Sequence, residues 1–307
     1  MGEGRARPGP SVSIVVPVLN GAATIGDLLS ALAQQRGAPA GCELIVVDNG
    51  STDRTPEIAR GFGATVLGEP TRGPAAARNR GLRHARGDIV VHLDADTLPT
   101  RRWLQEMVGP FVDANVLLVG GKTLSFRPES PVERFVERFG LYDTEFHVTR
   151  GILPFVASLN MAVRRGPALA VGGWAENMLT SEDVDFCHRL LQQFPGRIAY
   201  QPRAVLLHRH RSTIESLRRQ AWTYGEGVAQ MYGRYPDLLE WDRWRTLRAA
   251  RTMAWRAVKP AVLRVAVPLG IAARDDLEYA QCHRLWSWWF WRGFASYRRH
   301  RAYRPHR

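Results

Sequence analysis

The sequence predicts an α/β protein with a doubly wound, mostly parallel sheet, followed by a basic, Trp-rich helical extension. Short apolar runs rich in β-branched residues recur along residues 11–120 without polar alternation, the pattern of strands buried on both faces. Segments of helical character separate these runs, and repeated β-α alternation favours parallel pairing. With 307 residues, of which 45% are hydrophobic, the chain is long enough to bury a sizeable core.

The elements are expected in regular alternation. Strands are predicted at 13–18, 43–48, 64–68, 88–94 and 115–120. Helices are predicted around 22–35, from Thr55 as the N-cap with Pro56 at the first helical position, and around 73–86 and 100–113. A looser region from 120 to 210 should add a short strand at 156–163, a helix at 181–193 and strands near 197–207. Together these elements are expected to form one domain over residues 11–210.

Charge and tryptophan content separate this domain from the rest of the chain. Residues 1–200 hold 21 basic and 21 acidic side chains, whereas residues 201–307 hold 21 basic and 8 acidic ones and eight of the ten tryptophans. Ser212 and Glu215 match a capping box, so a helical, cationic extension is expected over residues 211–307. Residues 1–10 lack the apolar stretch of a secretory signal and are expected to form a flexible, cytoplasmic lead-in. The three scattered cysteines indicate a reducing compartment.

Polar side chains follow three of the predicted strands. Asn20 follows the first strand, Asp48 ends the second, and Asp94 and Asp96 follow the fourth. Ligands of doubly wound sheets bind at these carboxyl ends. One of the paired aspartates could face a sugar and the other a metal, and oxygen ligands beside a diphosphate favour Mg²⁺ or Mn²⁺. The alternative is that these acidic residues only shape the turns in which they lie.

Three further segments carry candidate side chains. Arg78 lies on an Ala-rich helix, from which it could reach a diphosphate or a base, or belong to a solvated arginine face. Glu182 and Asp183 begin a predicted helix, where the helix dipole favours acidic residues by about 0.3–1 kcal/mol. A carboxylate beside a cleft could also take a proton from a hydroxyl. His208 and His210 point the same way in an extended segment, so either could complete a metal site or be structural.

Seven segments, taken in order, resemble the family 2 glycosyltransferases of the GT-A fold. They are SIVVPVLN, VVDNGSTD, AAARNRG, HLDAD, VGGW, SEDVDFCHRL and VLLHRH, within residues 11–210. The resemblance implies an inverting, metal-dependent enzyme that moves a sugar from a nucleoside-diphosphate sugar to an acceptor hydroxyl, including hydroxyls of lipid-linked or cell-envelope glycans. It also implies Mg²⁺ or Mn²⁺ as the cofactor.

The resemblance implies a role for each matching residue. The nucleotide pocket would be lined by residues of the first four segments, with the last of them facing the ribose: Pro17, Asn20, Asp48, Asp53, Arg78 and Asp94. Asp96 and His208 would hold the metal. Asp183 would be the catalytic base, with Glu182 beside it for acceptor hydroxyls, and Trp174 would stack on a sugar face.

The extension carries features of a membrane-surface element. The aromatic run at 285–291 is followed by six arginines between Arg292 and Arg307, and Trp241, Trp244 and Trp255 lie among further arginines. Tryptophan and arginine suit an interface with anionic headgroups, whereas no apolar run is long enough to span a bilayer. We therefore expect a peripheral position on the cytoplasmic face of the cell membrane. The alternative is that these aromatics pack on the protein or in a homo-oligomer.

Two other classes of protein are weighed against this interpretation. The DADT segment is similar to the D-x-D-x-T motif of aspartyl-phosphate phosphatases, with Asp94 as the nucleophile. That motif usually opens its domain, and here only Lys122 and Lys259 could supply the lysine that such chemistry requires. A non-enzymatic protein that binds nucleic acid or membranes is suggested by the net charge of +13 and the interleaved tryptophans. The first two thirds of the chain, which carry the motifs, are neutral, however, so no nucleic-acid partner is expected.

Overall fold

The computed structural model of the chain describes residues 10–39, 41–178, 180–239 and 243–302. These residues divide into two compact units. The first comprises the described parts of Met1–Leu124, Tyr142–Glu176 and Glu182–His208, and the second those of Ser125–Leu141, Asn177–Ser181 and Arg209–Arg307. The second unit thus takes two short earlier segments in addition to the extension expected after residue 210. The predicted lead-in lies outside the described residues except for Pro10.

The first unit is built on an eight-stranded sheet with the strand order β3-β2-β1-β4-β7-β6-β8-β5. In chain order the strands are β1 (Val12–Val18), β2 (Glu43–Asp48), β3 (Thr65–Gly68), β4 (Ile89–Leu93), β5 (Thr97–Pro99), β6 (Val116–Ser125), β7 (Asn160–Arg164) and β8 (Arg197–His208). β1 to β4 pair in parallel, β7 pairs antiparallel with β4 and β6, and β5 pairs antiparallel with β8. The predicted doubly wound, mostly parallel sheet is confirmed.

Helices connect these strands and build the second unit. In chain order the α-helices of the described residues are α1 (Ile25–Ala33), α2 (Thr55–Gly61), α3 (Pro74–His84), α4 (Trp103–Val108), α5 (Pro131–Phe139), α6 (Thr144–Arg150), α7 (Arg165–Ala170), α8 (Glu182–Gln193), α9 (Ile214–Arg234), α10 (Arg243–Ala266) and α11 (Arg274–Ala302). A 3₁₀-helix follows α4 at Gly109–Val112. α5, α9, α10 and α11 belong to the second unit, so the expected helical extension is present. α5 to α7 lie where the sequence indicated a looser, loop-rich region.

Both faces of the sheet are covered, as the composition of the strands predicts. In β1, Val16 packs on one side with α1 and α4, and Val15 packs on the other side with α3. Gly81 of α3 lies so close to Val15 that a Cβ atom would clash with it. A Cβ atom at Gly87 would lie 2.6 Å from the backbone nitrogen of Ser13. These close approaches hold α3 and the start of β4 against β1, and so fix the strand ends where polar residues cluster.

Two helix starts differ from the prediction by one residue. α2 begins at Thr55 itself, and the Thr55 hydroxyl oxygen accepts from the Gly21 backbone N–H and not from an N–H of the helix. α9 is capped by Thr213, and not by Ser212, in a reciprocal capping box with Ser216. Side-chain hydrogen bonding within the turn decides which residue becomes the cap, and adjacent hydroxyl residues give the same sequence pattern.

Most of the aromatic run at 285–291 packs inside the second unit. Trp286 is 5% exposed, and its ring centroid lies 5.6 Å from that of Phe139 in α5. The ring centroid of Trp289 lies 6.1 Å from that of Trp222 in α9. Trp288, by contrast, is 54% exposed. The prediction that this run faces a membrane is therefore wrong for Trp286, and packing within the protein is the better interpretation.

The basic end of the chain is described in part. The Arg292 guanidinium lies 5.2 Å from the ring centroid of Trp289. Trp241 and the side chains of the five arginines after Arg292 lie outside the described residues. Among the helices that the structure describes, none is long and apolar enough to cross a membrane.

Candidate active site

The guanidinium of Arg78 lies between the two acidic segments that the sequence singles out. Its Nη2 donates to Asp94 Oδ1 at 2.9 Å, just past β4, and its Nη1 donates to Glu182 Oε1 at 3.0 Å, at the first residue of α8. The Arg78 side chain is 4% exposed, so it requires such partners, because an unpaired buried charge is strongly unfavourable. The two terminal nitrogens of Arg78 bring Asp94 and Glu182 together, and its expected contact with a diphosphate or a base stays a prediction.

Asp183 follows Glu182 in the first turn of α8 and is partly buried. Its Oδ1 accepts a hydrogen bond from the backbone N–H of Val184 at 2.9 Å. Burial, followed by the neighbouring charge of Glu182, raises the pKa of Asp183 from 3.8 to about 7, while Arg78 acts in the opposite direction. A carboxyl group with a pKa near 7 is suited to accept a proton at neutral pH.

Asp96 and His208 form the second part of the site. Thr97 of β5 pairs in register with His208 of β8, which brings the imidazole beside the residues that precede β5. His208 Nε2 lies 3.5 Å from Asp96 Oδ2, and the two side chains are 9% and 46% exposed. Tyr142, which the sequence analysis did not single out, packs edge-on against His208 with ring centroids 4.9 Å apart. Tyr142 lies in the region expected to be irregular, so no motif identified it.

His210 was the alternative to His208 as a metal ligand. Its Nε2 lies 2.8 Å from Ser125 Oγ, and both residues belong to the second unit. His208 belongs to the first unit, as Asp96 does, and its Nε2 lies 3.5 Å from Asp96 Oδ2. The geometry therefore favours His208.

The donor set of Asp96 and His208 fits a divalent cation. A carboxylate oxygen and an imidazole nitrogen are both ligands of first-row divalent metals, and their 3.5 Å separation allows both to bind one ion. The carboxylates around Arg78 carry more negative charge than one guanidinium neutralises, which also favours a cation. No group of three or more His, Cys, Asp or Glu side chains able to hold a metal occurs among the described residues, so substrate or water would complete the coordination.

The loops that follow β1 and β2 are tied to each other. Asn20 adopts a left-handed conformation with φ of 52°. Its backbone N–H donates to Ser51 Oγ at 2.8 Å, and its Oδ1 accepts from the Thr52 N–H at 2.8 Å. Asp48 Oδ1 accepts from the Ser51 N–H at 3.1 Å. Pro17 is buried within β1, so it shapes the strand that leads into these loops. The two loops form one rim at the strand ends.

Asp53 is engaged by the same loops. Its Oδ2 accepts from the Ala22 N–H at 3.0 Å, and its Oδ1 accepts from the Thr55 backbone N–H at 3.1 Å and from the Thr55 hydroxyl. These hydrogen bonds, led by that from the Thr55 hydroxyl, lower the pKa of Asp53. Asp53 therefore joins the first loop to the second, and direct contact with a nucleotide stays a prediction.

Trp174 was expected to stack on a sugar, and this prediction is wrong. The residue is 1% exposed, its ring stacks on that of Phe186 at 4.2 Å, and its edge meets His92 at 4.5 Å between centroids. Asn79 of α3, to which the sequence analysis gave no role, holds the backbone of this residue. Its Oδ1 accepts from the Trp174 N–H and its Nδ2 donates to the Trp174 carbonyl, both at 2.8 Å. In the sequence, the position of Asn79 directly after Arg78 was the feature that could have identified it as a residue near the site.

The chain matches a known family over half its length. Residues 13–171 match the profile described as Glycosyl transferase family 2. Over 245 residues the chain is 33% identical to a pre-mycofactocin glycosyltransferase of Mycobacterium tuberculosis, in an alignment that covers 76% of this chain and 50% of the relative. The chain thus spans about half the length of that relative.

Two solved structures are similar to this one. A mannosyltransferase from Pyrobaculum calidifontis, in complex with GDP-Man and Mn²⁺, superposes with a TM-score of 0.67 at 21% identity, covering 94% of this chain and 87% of that chain. Glucosyl-3-phosphoglycerate synthase from Mycobacterium tuberculosis, in complex with Mn²⁺, UDP-Glc and phosphoglyceric acid, superposes with a TM-score of 0.54 at 26% identity, covering 74% of this chain and 80% of that chain. With the profile match and the sheet described above, the chain belongs to the family 2 glycosyltransferases and has the GT-A fold.

Proposed function

We propose that the chain is an inverting, metal-dependent glycosyltransferase that moves a sugar from a nucleoside-diphosphate sugar to an acceptor hydroxyl. The observation that carries this proposal is the pair of hydrogen bonds from Arg78 to Asp94 and Glu182, at 2.9 and 3.0 Å. These bonds bring the strand-end aspartate that would meet the donor next to the helix that bears Asp183. The Mn²⁺ and UDP-Glc bound by the glucosyl-3-phosphoglycerate synthase support a divalent metal and a nucleotide-sugar donor.

The donor nucleotide would bind at the rim formed by the loops after β1 and β2. Asp48 and Asn20 lie there, and carboxylate and amide groups can recognise the N–H and carbonyl groups of a base. Asp53 and Pro17 would support the rim rather than reach far into it. Asp94 would accept hydrogen bonds from the ribose hydroxyls while its Oδ1 stays on Arg78.

Asp183 would act as the general base. Its carboxylate takes the proton of the acceptor hydroxyl while the hydroxyl oxygen attacks the anomeric carbon of the donor. The bond from that carbon to the diphosphate oxygen breaks as the new bond forms on the opposite side, so the configuration inverts. The nucleoside diphosphate leaves with the electron pair of the broken bond. Glu182 keeps the pKa of Asp183 raised and would orient the acceptor's hydroxyl groups.

Asp96 and His208 would hold the divalent cation, Mg²⁺ or Mn²⁺. Bound there, the ion would neutralise negative charge on the departing diphosphate. The packing of Tyr142 against His208 restricts the orientation of the imidazole, as is usual for histidines that bind metals.

For the acceptor, we propose a lipid-linked or cell-envelope glycan, and for the protein a peripheral position on the cytoplasmic face of the cell membrane. The support is the charge distribution, because the whole excess of basic over acidic residues falls within residues 201–307. A cationic segment beside a neutral domain suits an anionic surface. A glycan acceptor carried on a lipid would be found at that surface.

A panel of sugar nucleotides tests the proposed reaction. The protein with Mn²⁺ or Mg²⁺ is expected to release nucleoside diphosphate from at least one donor, and to stop doing so when EDTA is added. Asp96→Ala should lose the metal-dependent release, whereas Lys122→Ala, at an exposed position of β6, should retain it. Failure of every donor, together with no metal-dependent binding of any nucleoside diphosphate, would contradict the proposal.

The family assignment does not favour the two other classes of protein. An aspartyl-phosphate phosphatase requires one residue between the second aspartate and the threonine of its motif, but Thr97 follows Asp96 directly. The nucleic-acid interpretation rested on the net charge of +13 and on the tryptophans interleaved with arginines in the extension.

A further inference from the structure

The exposed face of α10 is apolar along most of its length. Leu247 and Trp255 are 57% and 58% exposed, and Val258, Val262 and Val265 are 54%, 52% and 64% exposed. With Trp244, which is 60% exposed, these six residues are termed the α10 stripe. Their positions, with that of Arg251, recur at steps of three or four residues, so at ~100° per residue they fall within an arc of roughly 80°. Such a stripe normally lies against a partner.

The α10 stripe lies on the side of the helix opposite to α11. Pro260 is buried, and Arg256 Nη1 donates to Ser287 Oγ of α11 at 2.8 Å. At ~100° per residue, Pro260 and Arg256 lie on the opposite half of the helix from the stripe. The turn after α10 continues the apolar surface, because Leu269 and Ile271 are 66% and 75% exposed. Among the described residues, the packing of the second unit therefore covers one face of α10 and leaves the other largely exposed.

The charges of α10 indicate what covers the stripe. The helix contains six arginines, one lysine and no acidic residue. Arg251 lies within the arc of the stripe, Arg248 borders it, and both are exposed. A second copy of the chain seated on this face would bring two strongly cationic helices together, which like-charge repulsion disfavours. An anionic bilayer surface suits both the positive charge and the apolar side chains of this face. Its headgroups attract arginine, and its acyl boundary takes up tryptophan and valine.

We propose that the α10 stripe docks in the headgroup region of an anionic lipid bilayer, with the helix parallel to the surface. This inference deepens the membrane location proposed above and rests on it. It assigns the docking to α10 and not to the aromatic run at 285–291, of which Trp286 is packed inside the unit. At about 1.5 Å per residue, the 24 residues of α10 would present a contact about 36 Å long.

Co-sedimentation of the full chain with vesicles tests this inference. Vesicles of equal parts phosphatidylglycerol and phosphatidylcholine should bind the chain, and pure phosphatidylcholine vesicles should bind it at least about tenfold more weakly. The double variant Val258→Glu, Val262→Glu should lose about tenfold or more of the binding to the anionic vesicles. The matched control is Val112→Glu with Ile152→Glu, at positions 90% and 68% exposed in the first unit, and it should bind as the wild type does.

A second measurement does not depend on how well the stripe variant folds. Brominated acyl chains in the anionic vesicles should quench tryptophan fluorescence of the wild type, and Trp255→Phe should remove part of that quenching, whereas Trp103→Phe, in the core, should not. Absence of vesicle binding by the wild type overturns the inference, as does equal quenching in both Trp variants. A wild-type dimer that the double variant converts to a monomer also overturns it, because the stripe would then be covered by a second copy.

The outcome is separable from that of the proposed reaction. Release of nucleoside diphosphate from a soluble donor requires no lipid. If the wild type releases nucleoside diphosphate but binds no vesicles, the docking inference fails and the reaction stands. If it binds vesicles through the stripe but releases nothing from any donor, the reaction fails and the docking stands.

Discussion

At the scale of single residues, Asp183 is expected to dominate catalysis. Asp183→Asn keeps the size of the side chain but removes its ability to accept a proton, so kcat should fall about 10²–10⁴-fold. Affinity for the nucleoside diphosphate, measured by calorimetry in the presence of Mn²⁺, should stay near that of the wild type. Binding of the donor does not require the carboxylate that takes the proton. Near-normal turnover by this variant would show that another group takes the proton.

The raised pKa of Asp183 predicts a pH dependence. Because the base must be ionised and its pKa is raised to about 7, kcat/KM should rise about tenfold per pH unit below neutrality and level off above it. Glu182→Gln removes the neighbouring negative charge, so the midpoint of the profile should move to lower pH. An unchanged midpoint in Glu182→Gln would contradict the assignment of the pKa to this pair.

The raised pKa of Asp183 also predicts how the stability of the fold changes with pH. A carboxyl group whose pKa is higher in the folded chain than its ordinary 3.8 favours folding when protonated. This contribution is fully present below pH about 4 and is lost as the pH rises to about 7. Asp183→Asn does not titrate, so its melting temperature should exceed that of the wild type by a margin that grows from pH 4 to 7. A constant margin over that range would contradict the raised pKa.

His208 and His210 provide a matched pair for the metal site. His208→Ala should weaken Mn²⁺-dependent binding of nucleoside diphosphate by about 10–100-fold, because the imidazole 3.5 Å from Asp96 would be lost. His210→Ala changes the same residue type two positions later, beside Ser125, and should leave that affinity near the wild-type value. Calorimetry with and without EDTA measures both. The reverse ranking would transfer the metal role to His210.

At the scale of elements, α3 links the two acidic segments through the two hydrogen bonds of the Arg78 guanidinium. Arg78→Lys keeps the charge, but one ammonium group cannot reproduce two directed hydrogen bonds. Turnover should fall by about 100-fold, and the free energy of unfolding by about 1–3 kcal/mol. Arg83→Lys on the exposed face of the same helix is the control and should change neither. Full activity of Arg78→Lys, measured by donor turnover, would show that the charge alone suffices.

The segment just before β4 lies close to β1, and this close contact sets the position of the strand ends. Gly87→Ala places a methyl group 2.6 Å from the Ser13 nitrogen, so the free energy of unfolding should fall by about 1–3 kcal/mol. Gly166→Ala is the control, since nothing lies within 4 Å of its Cβ position, and in α7 it should be neutral or stabilising by up to about 1 kcal/mol. Urea denaturation distinguishes the two. Equal stability of both variants would contradict the close packing.

At the scale of the whole molecule, the parallel core was predictable because buried strands have a simple signature. Runs such as residues 14–18 and 44–47 are apolar at every position, and the structure pairs them in parallel. β5 was missed, because three residues that pair only with β8 leave no periodic pattern. The cap at Thr213 was missed by one position because Ser212 offers the same chemistry.

The site was predictable as a set of strand-end and helix-start residues, but not as a set of contacts. The bond between Arg78 and Glu182 joins positions 104 residues apart, and no local pattern encodes it. Trp174 was misassigned because an aromatic residue after two glycines gives no indication of burial. Trp244 and Trp255 were named as features of a membrane-surface element, but the rest of the α10 stripe was not identified, because only the packing of α11 shows which helix faces are exposed.

The central claim is that one acidic site, assembled by β4, β8 and α8, binds a metal and a nucleoside diphosphate for sugar transfer. Anomalous scattering at the manganese edge, from crystals grown with Mn²⁺ and a sugar nucleotide, tests it most directly. We expect a manganese peak bonded to Asp96 and His208 and to the diphosphate, with the sugar facing Asp183. A nucleotide bound elsewhere, or a manganese peak away from both of those ligands, would contradict it.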